Sequence, residues 1–145
     1  MRARFKLLVA GLVVAAVVLS TSVAFAKPLS EQQWRKQANV FCKQNNKEMN
    51  ALSSVAFAGL GPNDQPTAEQ LTAFAEQAVP AIEQTIASID ALNEPKALKK
   101  DVKKLVVLGY DAAAGMRTNP GPENDAQFAK VNKIGKRLGL VCGGD

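Results

Sequence analysis

The two cysteines constrain the fold of this chain more than any other feature of its sequence. Cys42 falls early in the chain, Cys142 lies close to the C-terminus, and the sequence contains no histidine. A catalytic redox pair usually has Cys-x-x-Cys spacing, which this pair lacks. A zinc site needs about four ligands, which two cysteines without histidine do not supply. We therefore predict a structural disulfide, Cys42–Cys142, and no metal site.

The first 26 residues predict that this disulfide forms outside the cytoplasm. They begin with the basic residues Arg2, Arg4 and Lys6, continue with an unbroken apolar run over residues 7–19, and end with Ala24-Phe25-Ala26. A basic start, an apolar segment and a small-x-small end are the three parts of a cleavable secretory signal peptide. Exported proteins meet oxidising conditions, in which an even number of cysteines usually pairs.

Cleavage after Ala26 would leave a mature chain of residues 27–145. We expect this chain to form one domain that is secreted or held at the exterior of the cell envelope. The alternative is an N-terminal membrane anchor, because residues 7–26 carry no charge and approach the ~20 apolar residues that span a bilayer. The polar residues 20–22 interrupt that run, which favours the signal peptide.

Cleavage would also change the charge of the chain. The full sequence has 18 basic and 13 acidic residues and a net charge of +5, but three of the basic residues belong to the predicted signal peptide. The mature chain keeps fifteen basic and thirteen acidic residues, so its net charge is only +2. Nucleic-acid binding normally uses a sustained basic surface with arginine and aromatic residues. A nucleic acid is therefore not an expected partner.

The mature chain is predicted to be helical throughout. Apolar residues recur at three- and four-residue spacing, and no segment shows the alternation of a strand. Ser30 with Gln33, and Thr67 with Gln70, form capping boxes that mark two helix starts. The predicted helices cover residues 31–52, 68–93, about 94–117 and 123–138.

The second predicted helix carries a seven-residue repeat, which keeps one seam facing its neighbours in a bundle. Pro80 falls at an outward position of this repeat, so we expect a kink in the helix and not its end. Gly139 is a typical helix stop that would direct Cys142 towards the first helix. The sequence thus predicts an all-α fold: a four-helix bundle, mainly antiparallel, closed by one disulfide. The seam consists of Ala68, Leu71, Ala75, Ala78, Ile82, Thr85, Ile89 and Leu92.

The third predicted helix combines an apolar run with small residues. Residues 105–108 are apolar on all sides, so we expect this helix to be the most enclosed, although Val107 and Leu108 would mark a partner surface if they were exposed. Small residues leave room for a close neighbour or for a ligand. The small residues are Gly109, Ala112, Ala113 and Gly115. They suggest, as an alternative function, a carrier for a small apolar molecule within the bundle.

Basic residues cluster on the last two predicted helices and form the leading candidate contact surface. Such surfaces bind anionic envelope polymers, lipid headgroups or protein partners. The alternative is a solvated surface whose lysines pair with acidic residues of the second helix, Glu83 with Lys103 or Lys104, and Asp90 with Lys96 or Lys99. The cluster consists of Lys96, Lys99, Lys100, Lys103, Lys104, Lys130, Lys133, Lys136 and Arg137.

Enzymatic activity is not expected, and neither is a cofactor. The chain lacks histidine, the commonest general base near neutral pH. Glu123 and Asp125 stand in the predicted first turn of the fourth helix, where acidic side chains complement the helix dipole. Trp34 and Tyr110 have the spacing of core residues more than of a ligand pocket. Four further acidic residues form a heptad-spaced surface stripe and do not converge on one site: Glu69, Glu76, Glu83 and Asp90. An enzyme that uses carboxylates is therefore an unfavoured alternative.

Three motifs resemble those of small exported helical proteins of bacteria that have no assigned activity. They are Trp34-x-x-Gln37-Ala38-Asn39-x-x-Cys42, Leu92-Asn93-Glu94-Pro95 and Leu138-Gly139-Leu140-x-Cys142. The resemblance implies a disulfide-closed bundle and identifies no catalytic or binding residue. Taken together, the sequence predicts a secreted, non-enzymatic binding or interaction module of the bacterial cell envelope.

Overall fold

The computed structural model describes residues 27–143, and all regular secondary structure in that range is helical. The predicted signal peptide lies outside the described residues. Within the described range no helix has the length and apolarity needed to cross a membrane. The four α-helices there are α1 (Glu31–Ala56), α2 (Ala68–Asp90), α3 (Lys99–Thr118) and α4 (Asp125–Leu138), and the short 3-10 helix Pro122–Asn124 precedes α4. The all-α prediction is confirmed.

Both predicted capping boxes are present. The Ser30 hydroxyl accepts a hydrogen bond from the Gln33 amide, and the Gln33 side chain accepts one from the Ser30 amide. Thr67 and Gln70 make the same reciprocal pair at the start of α2. Each box satisfies two amide donors that have no partner within the helix, which is why α1 and α2 begin where the sequence predicts.

The ends of the first two helices differ from the prediction. α1 continues to Ala56, one turn beyond the predicted end, and the hydroxyls of Ser53 and Ser54 donate to the Asn50 carbonyl in this turn. α2 ends at Asp90, three residues earlier than predicted. The prediction that α2 continues through the exposed Pro80 is confirmed.

The last two helices start later than predicted. Residues before α3 form a turn in which the Leu98 amide donates to the Pro95 carbonyl, so Lys96 precedes the helix instead of lying on it. Glu123 belongs to the 3-10 helix, and Asp125 is the first residue of α4. Proline is tolerated in the first turn of an α-helix. At both places, however, the chain forms a tighter turn before the α-helix begins.

The core is centred on Trp34, which is entirely buried and whose indole nitrogen has no hydrogen-bond acceptor among residues 27–143. Cys42 is also entirely buried beside it in the same cluster. Successive helices pack against each other: α1 against α2, α2 against α3, and α3 against α4. The cluster combines residues of all four helices with residues next to α3 and α4: Trp34, Ala38, Cys42, Ile89, Leu98, Val102, Leu105, Ile134, Leu138 and Leu140.

Of the two possibilities that the sequence leaves open for Val107, exposure is the one found. Leu105 is buried and Leu108 is half-buried, but Val107 is 59% exposed. Within residues 27–143 α3 packs mainly against α2 and α4, so its outer side faces the solvent. An unbroken apolar run does not reveal which of its residues falls on that side.

The chain reverses after α4 and runs back along α1. Gly139 has φ +76°, the left-handed conformation predicted for a helix stop, and the Leu140 amide donates to the Gly135 carbonyl across the turn. We call residues 139–143 the C-terminal strap. The predicted disulfide Cys42–Cys142 is present and joins the strap to α1 across a sequence separation of 100 residues.

Hydrogen bonds from α1 hold the strap in addition to the disulfide. The Asn39 amide group donates to the Gly139 carbonyl at 2.9 Å, and its oxygen accepts from the Val141 amide at 2.9 Å. Asn46 donates to the Val141 carbonyl at 2.7 Å. Arg35 donates to the carbonyl of Leu138, the last residue of α4, at 2.9 Å. The strap is therefore fixed along about two turns of α1.

Candidate functional site: a cavity between the helices

A cavity of about 430 Å³ lies between the four helices and the strap. Its walls are mostly aliphatic and aromatic side chains. The strap contributes Leu140, Cys142 and Gly143 to the wall. The apolar lining from the helices consists of Met49 of α1, Ile82, Ile86 and Ile89 of α2, Leu105 and Val106 of α3, and Phe128 and Val131 of α4.

Two features of helix packing produce this cavity. Gly109 lets α3 approach α2 so closely that a Cβ atom there would lie 2.8 Å from Cδ1 of Ile86, which brings two apolar walls together. α1 and α4, in contrast, come close at few backbone positions in the described part of the chain, although Arg35 donates to the Leu138 carbonyl, and the strap lies beside them. The cavity lies where the four helices and the strap leave space between their side chains.

One wall carries a buried polar pair. Asn45 is only 9% exposed, and its side-chain oxygen accepts a hydrogen bond from the Thr85 hydroxyl at 3.4 Å. Both residues line the cavity. Thr85 belongs to the predicted seam of α2, whereas Asn45 interrupts the apolar stripe of α1. That interruption was the one signal in the sequence that pointed to this position.

The rim of the cavity is polar. Asn46, Asn50, Asn132 and Lys136 contribute to the lining, and Asn50 and Lys136 are exposed. Lys136 is the one member of the predicted basic cluster that reaches the cavity. A mostly apolar interior with a few polar groups is the usual composition of a small-molecule site.

The predicted basic cluster is at the surface, and all nine of its residues are exposed. Eight of them lie on α3 and α4, while Lys96 precedes α3. The guanidinium of Arg137 lies 3.7 Å from the carboxylate of Asp101, so the basic surfaces of the two helices meet at this pair. Val107 stands exposed on α3 among the lysines, and Tyr110 is 39% exposed.

Within residues 27–143 the lysines make none of the ion pairs with acidic residues of α2 that would support the alternative of a solvated surface. Glu83 pairs with Arg117 at 2.8 Å instead of Lys103 or Lys104. The ion pairs found within residues 27–143 all involve arginine, and Asp90 forms none there. The longer, forked guanidinium of Arg117 reaches Glu83 from the far end of α3, and this leaves the lysines to the solvent.

The other candidate residues lie outside the cavity. Trp34 belongs to the core and Tyr110 to the surface, and neither lines the cavity. Three residues of the acidic stripe, Glu69, Glu76 and Asp90, are exposed, and Glu83 is half-buried. Within the described range no three His, Cys, Asp or Glu residues come close enough together to hold a metal ion.

Comparisons with known proteins identify no relative, so the function has to be inferred from the features of the site described above. No protein-family model matches the chain, and neither a curated protein nor a solved structure is significantly similar to it.

Proposed function

We propose that this chain is an exported, non-enzymatic binding protein that carries a small apolar molecule in the cavity between its helices. The cavity itself is the observation that supports this proposal, because its volume of about 430 Å³ lies within the ~300–1,000 Å³ of typical ligand sites. Burial of an apolar ligand against Ile82, Ile86 and Phe128 would be favoured by about 25 cal/mol for each Å² removed from water. Between the two binding modes that the sequence leaves open, the geometry favours this one.

The proposed scaffold is a mainly antiparallel four-helix bundle. Three cross-helix contacts support it. The Leu29 amide, just before α1, donates to the Asn93 carbonyl just after α2. Asn45, later in α1, contacts Thr85, which comes earlier in α2, so the two helices run in opposite directions. Arg137 near the end of α4 contacts Asp101 near the start of α3. Ligand sites between the helices of a bundle are common in such scaffolds.

Uptake of a neutral fluorescent probe tests the carrier function. N-phenylnaphthylamine fluoresces strongly in apolar surroundings and weakly in water. We expect the folded mature chain to increase its emission saturably at a stoichiometry of one probe per chain. A saturable increase that long-chain ketones or alkanes displace would support the proposal. No increase with the folded protein at micromolar concentrations would contradict it.

A second candidate function is contact with an anionic envelope polymer or lipid surface through the basic cluster. The exposure of its lysines and the absence of carboxylate partners for them within residues 27–143 favour this function, because unpaired cations remain available to an anionic partner. The exposed Val107 would add apolar contact at the same surface.

A charge-matched pair of variants tests the basic cluster. We expect the triple variant Lys99→Gln, Lys103→Gln, Lys104→Gln to lose at least tenfold in affinity for anionic vesicles and for teichoic-acid-type polymer at low salt. The control variant, Lys36→Gln, Lys43→Gln, Lys47→Gln, removes the same charge from exposed positions of α1 and should retain affinity. Wild-type binding should weaken as salt rises. Equal losses in both variants would indicate attraction by net charge and contradict a defined surface.

Export is part of the proposal and has its own test. We expect the chain isolated from its native host to begin at Lys27 and to be two hydrogens lighter than the reduced mature polypeptide. Intact-mass measurement before and after reduction gives both results at once. A retained residue 1–26 segment would favour the membrane anchor instead, and free thiols on Cys42 and Cys142 would contradict an oxidising location.

A further inference from the structure

The cavity contains a hydrogen-bond donor that the protein does not use. The Thr85 hydroxyl donates to the side-chain oxygen of Asn45, so the amide nitrogen of Asn45 keeps both of its hydrogens for other partners. No acceptor for that nitrogen is found within the described part of the chain. Asn45 is 9% exposed and lines the cavity, so the side chain that carries these donors forms part of the cavity wall.

The surroundings of Asn45 favour a neutral acceptor. Among the described residues that line the cavity, Lys136 is the only charged one, and its side chain is exposed at the rim. A carboxylate placed beside Asn45 would lose its hydration without gaining a cation, which is costly. A carbonyl oxygen accepts hydrogen bonds, carries no net charge and needs no acceptor in return.

We infer that the ligand is an apolar molecule with a carbonyl group, and that its carbonyl oxygen accepts a hydrogen bond from the Asn45 amide. This inference rests on the proposed carrier function and specifies the ligand of the same cavity. Thr85 acts as a positioning residue, because its hydroxyl donates to the oxygen of Asn45 at 3.4 Å and so favours the orientation that leaves the amide nitrogen without a protein partner. The apolar body of the ligand lies against Ile86 and Val131.

Two probes of equal chain length separate the carbonyl contact from simple apolar burial. Methyl nonyl ketone and undecane each contain eleven carbon atoms and differ in one oxygen. Their affinities are measured by displacement of N-phenylnaphthylamine. In Asn45→Leu, which removes the donors at similar side-chain volume, we expect the ratio of ketone to alkane affinity to fall about tenfold relative to the wild type, since one net hydrogen bond is lost and the carbonyl stays desolvated.

Control variants make the result specific. Gln44→Leu removes a carboxamide from the same helix at an exposed position outside the cavity and should leave the ratio unchanged. Thr85→Val keeps the shape of the side chain and should lower the ratio by a smaller factor, which also provides a test if Asn45→Leu fails to fold. An unchanged ratio in both Asn45→Leu and Thr85→Val would overturn the inference but not the carrier function. Failure of the wild type to bind either probe would overturn both.

Discussion

Loss of the Cys42–Cys142 disulfide is expected to lower the free energy of unfolding by about 4–5 kcal/mol. The bond closes a loop across 100 residues of sequence, and in the chain-entropy model a loop of about that length is worth roughly 4.7 kcal/mol. A domain of this size has a total stability of about 5–15 kcal/mol. The reduced protein should therefore be close to the limit of folding at 37 °C, as is typical for small secreted domains.

Guanidinium denaturation of the double variant Cys42→Ala, Cys142→Ala against the oxidised wild type measures this loss. Reductant should lower the midpoint of the wild type towards that of the variant and leave the variant itself unchanged, which separates the crosslink from the packing of the buried Cys42 sulfur. A loss below about 1 kcal/mol would contradict the prediction and would mean that the hydrogen bonds from Asn39 and Asn46 to the strap suffice.

The same bond links stability to the candidate site. Leu140, Cys142 and Gly143 form one wall of the cavity, so the strap is a part of the site as well as a closure of the fold. Without the disulfide, the wall is held by the burial of Leu140 in the core, by its hydrogen bond to the Gly135 carbonyl and by the hydrogen bonds from Asn39 and Asn46. The crosslink thus positions a cavity wall on a segment that has no helix of its own.

Local signals in the sequence predicted most of the fold. The capping boxes at Ser30 and Thr67 mark helix starts because both partners lie within four residues of each other. Gly139 marks the end of α4 because its left-handed conformation suits glycine. The disulfide followed from the cysteine count together with the lack of other ligands. Each of these signals is contained in a short segment or in composition alone.

The features that the sequence did not predict, including the cavity, depend on contacts between segments that are distant in the chain. Val107 is exposed because α2 and α4 cover other sides of α3. Glu83 pairs with Arg117 because of the position of α2 relative to α3 along the helix axes. The cavity depends on how sparsely α1 and α4 contact each other and on the strap that forms one of its walls. Apolar periodicity shows which residues face inward, but not how completely they fill the space between the helices.

Filling the cavity by Val131→Phe is expected to lower the affinity for an apolar probe more than fiftyfold. Val131 lines the cavity and packs against the core, so a phenyl ring there occupies space that a ligand would use. If the ring excludes about 100 Å² of ligand surface, the loss is about 2.5 kcal/mol. The stability of the protein should change by less than the ~1–3 kcal/mol of an overpacked core, because the ring enters a cavity and not a filled interior.

Val107→Phe is the matched control, since it makes the same exchange at an exposed helical position outside the cavity and should bind the probe like the wild type. Ile82→Phe, on the opposite wall formed by α2, repeats the test if Val131→Phe does not fold. Probe fluorescence gives the affinity, and circular dichroism verifies the helix content of each variant. Retention of wild-type affinity in both folded cavity variants would mean that the probe binds elsewhere.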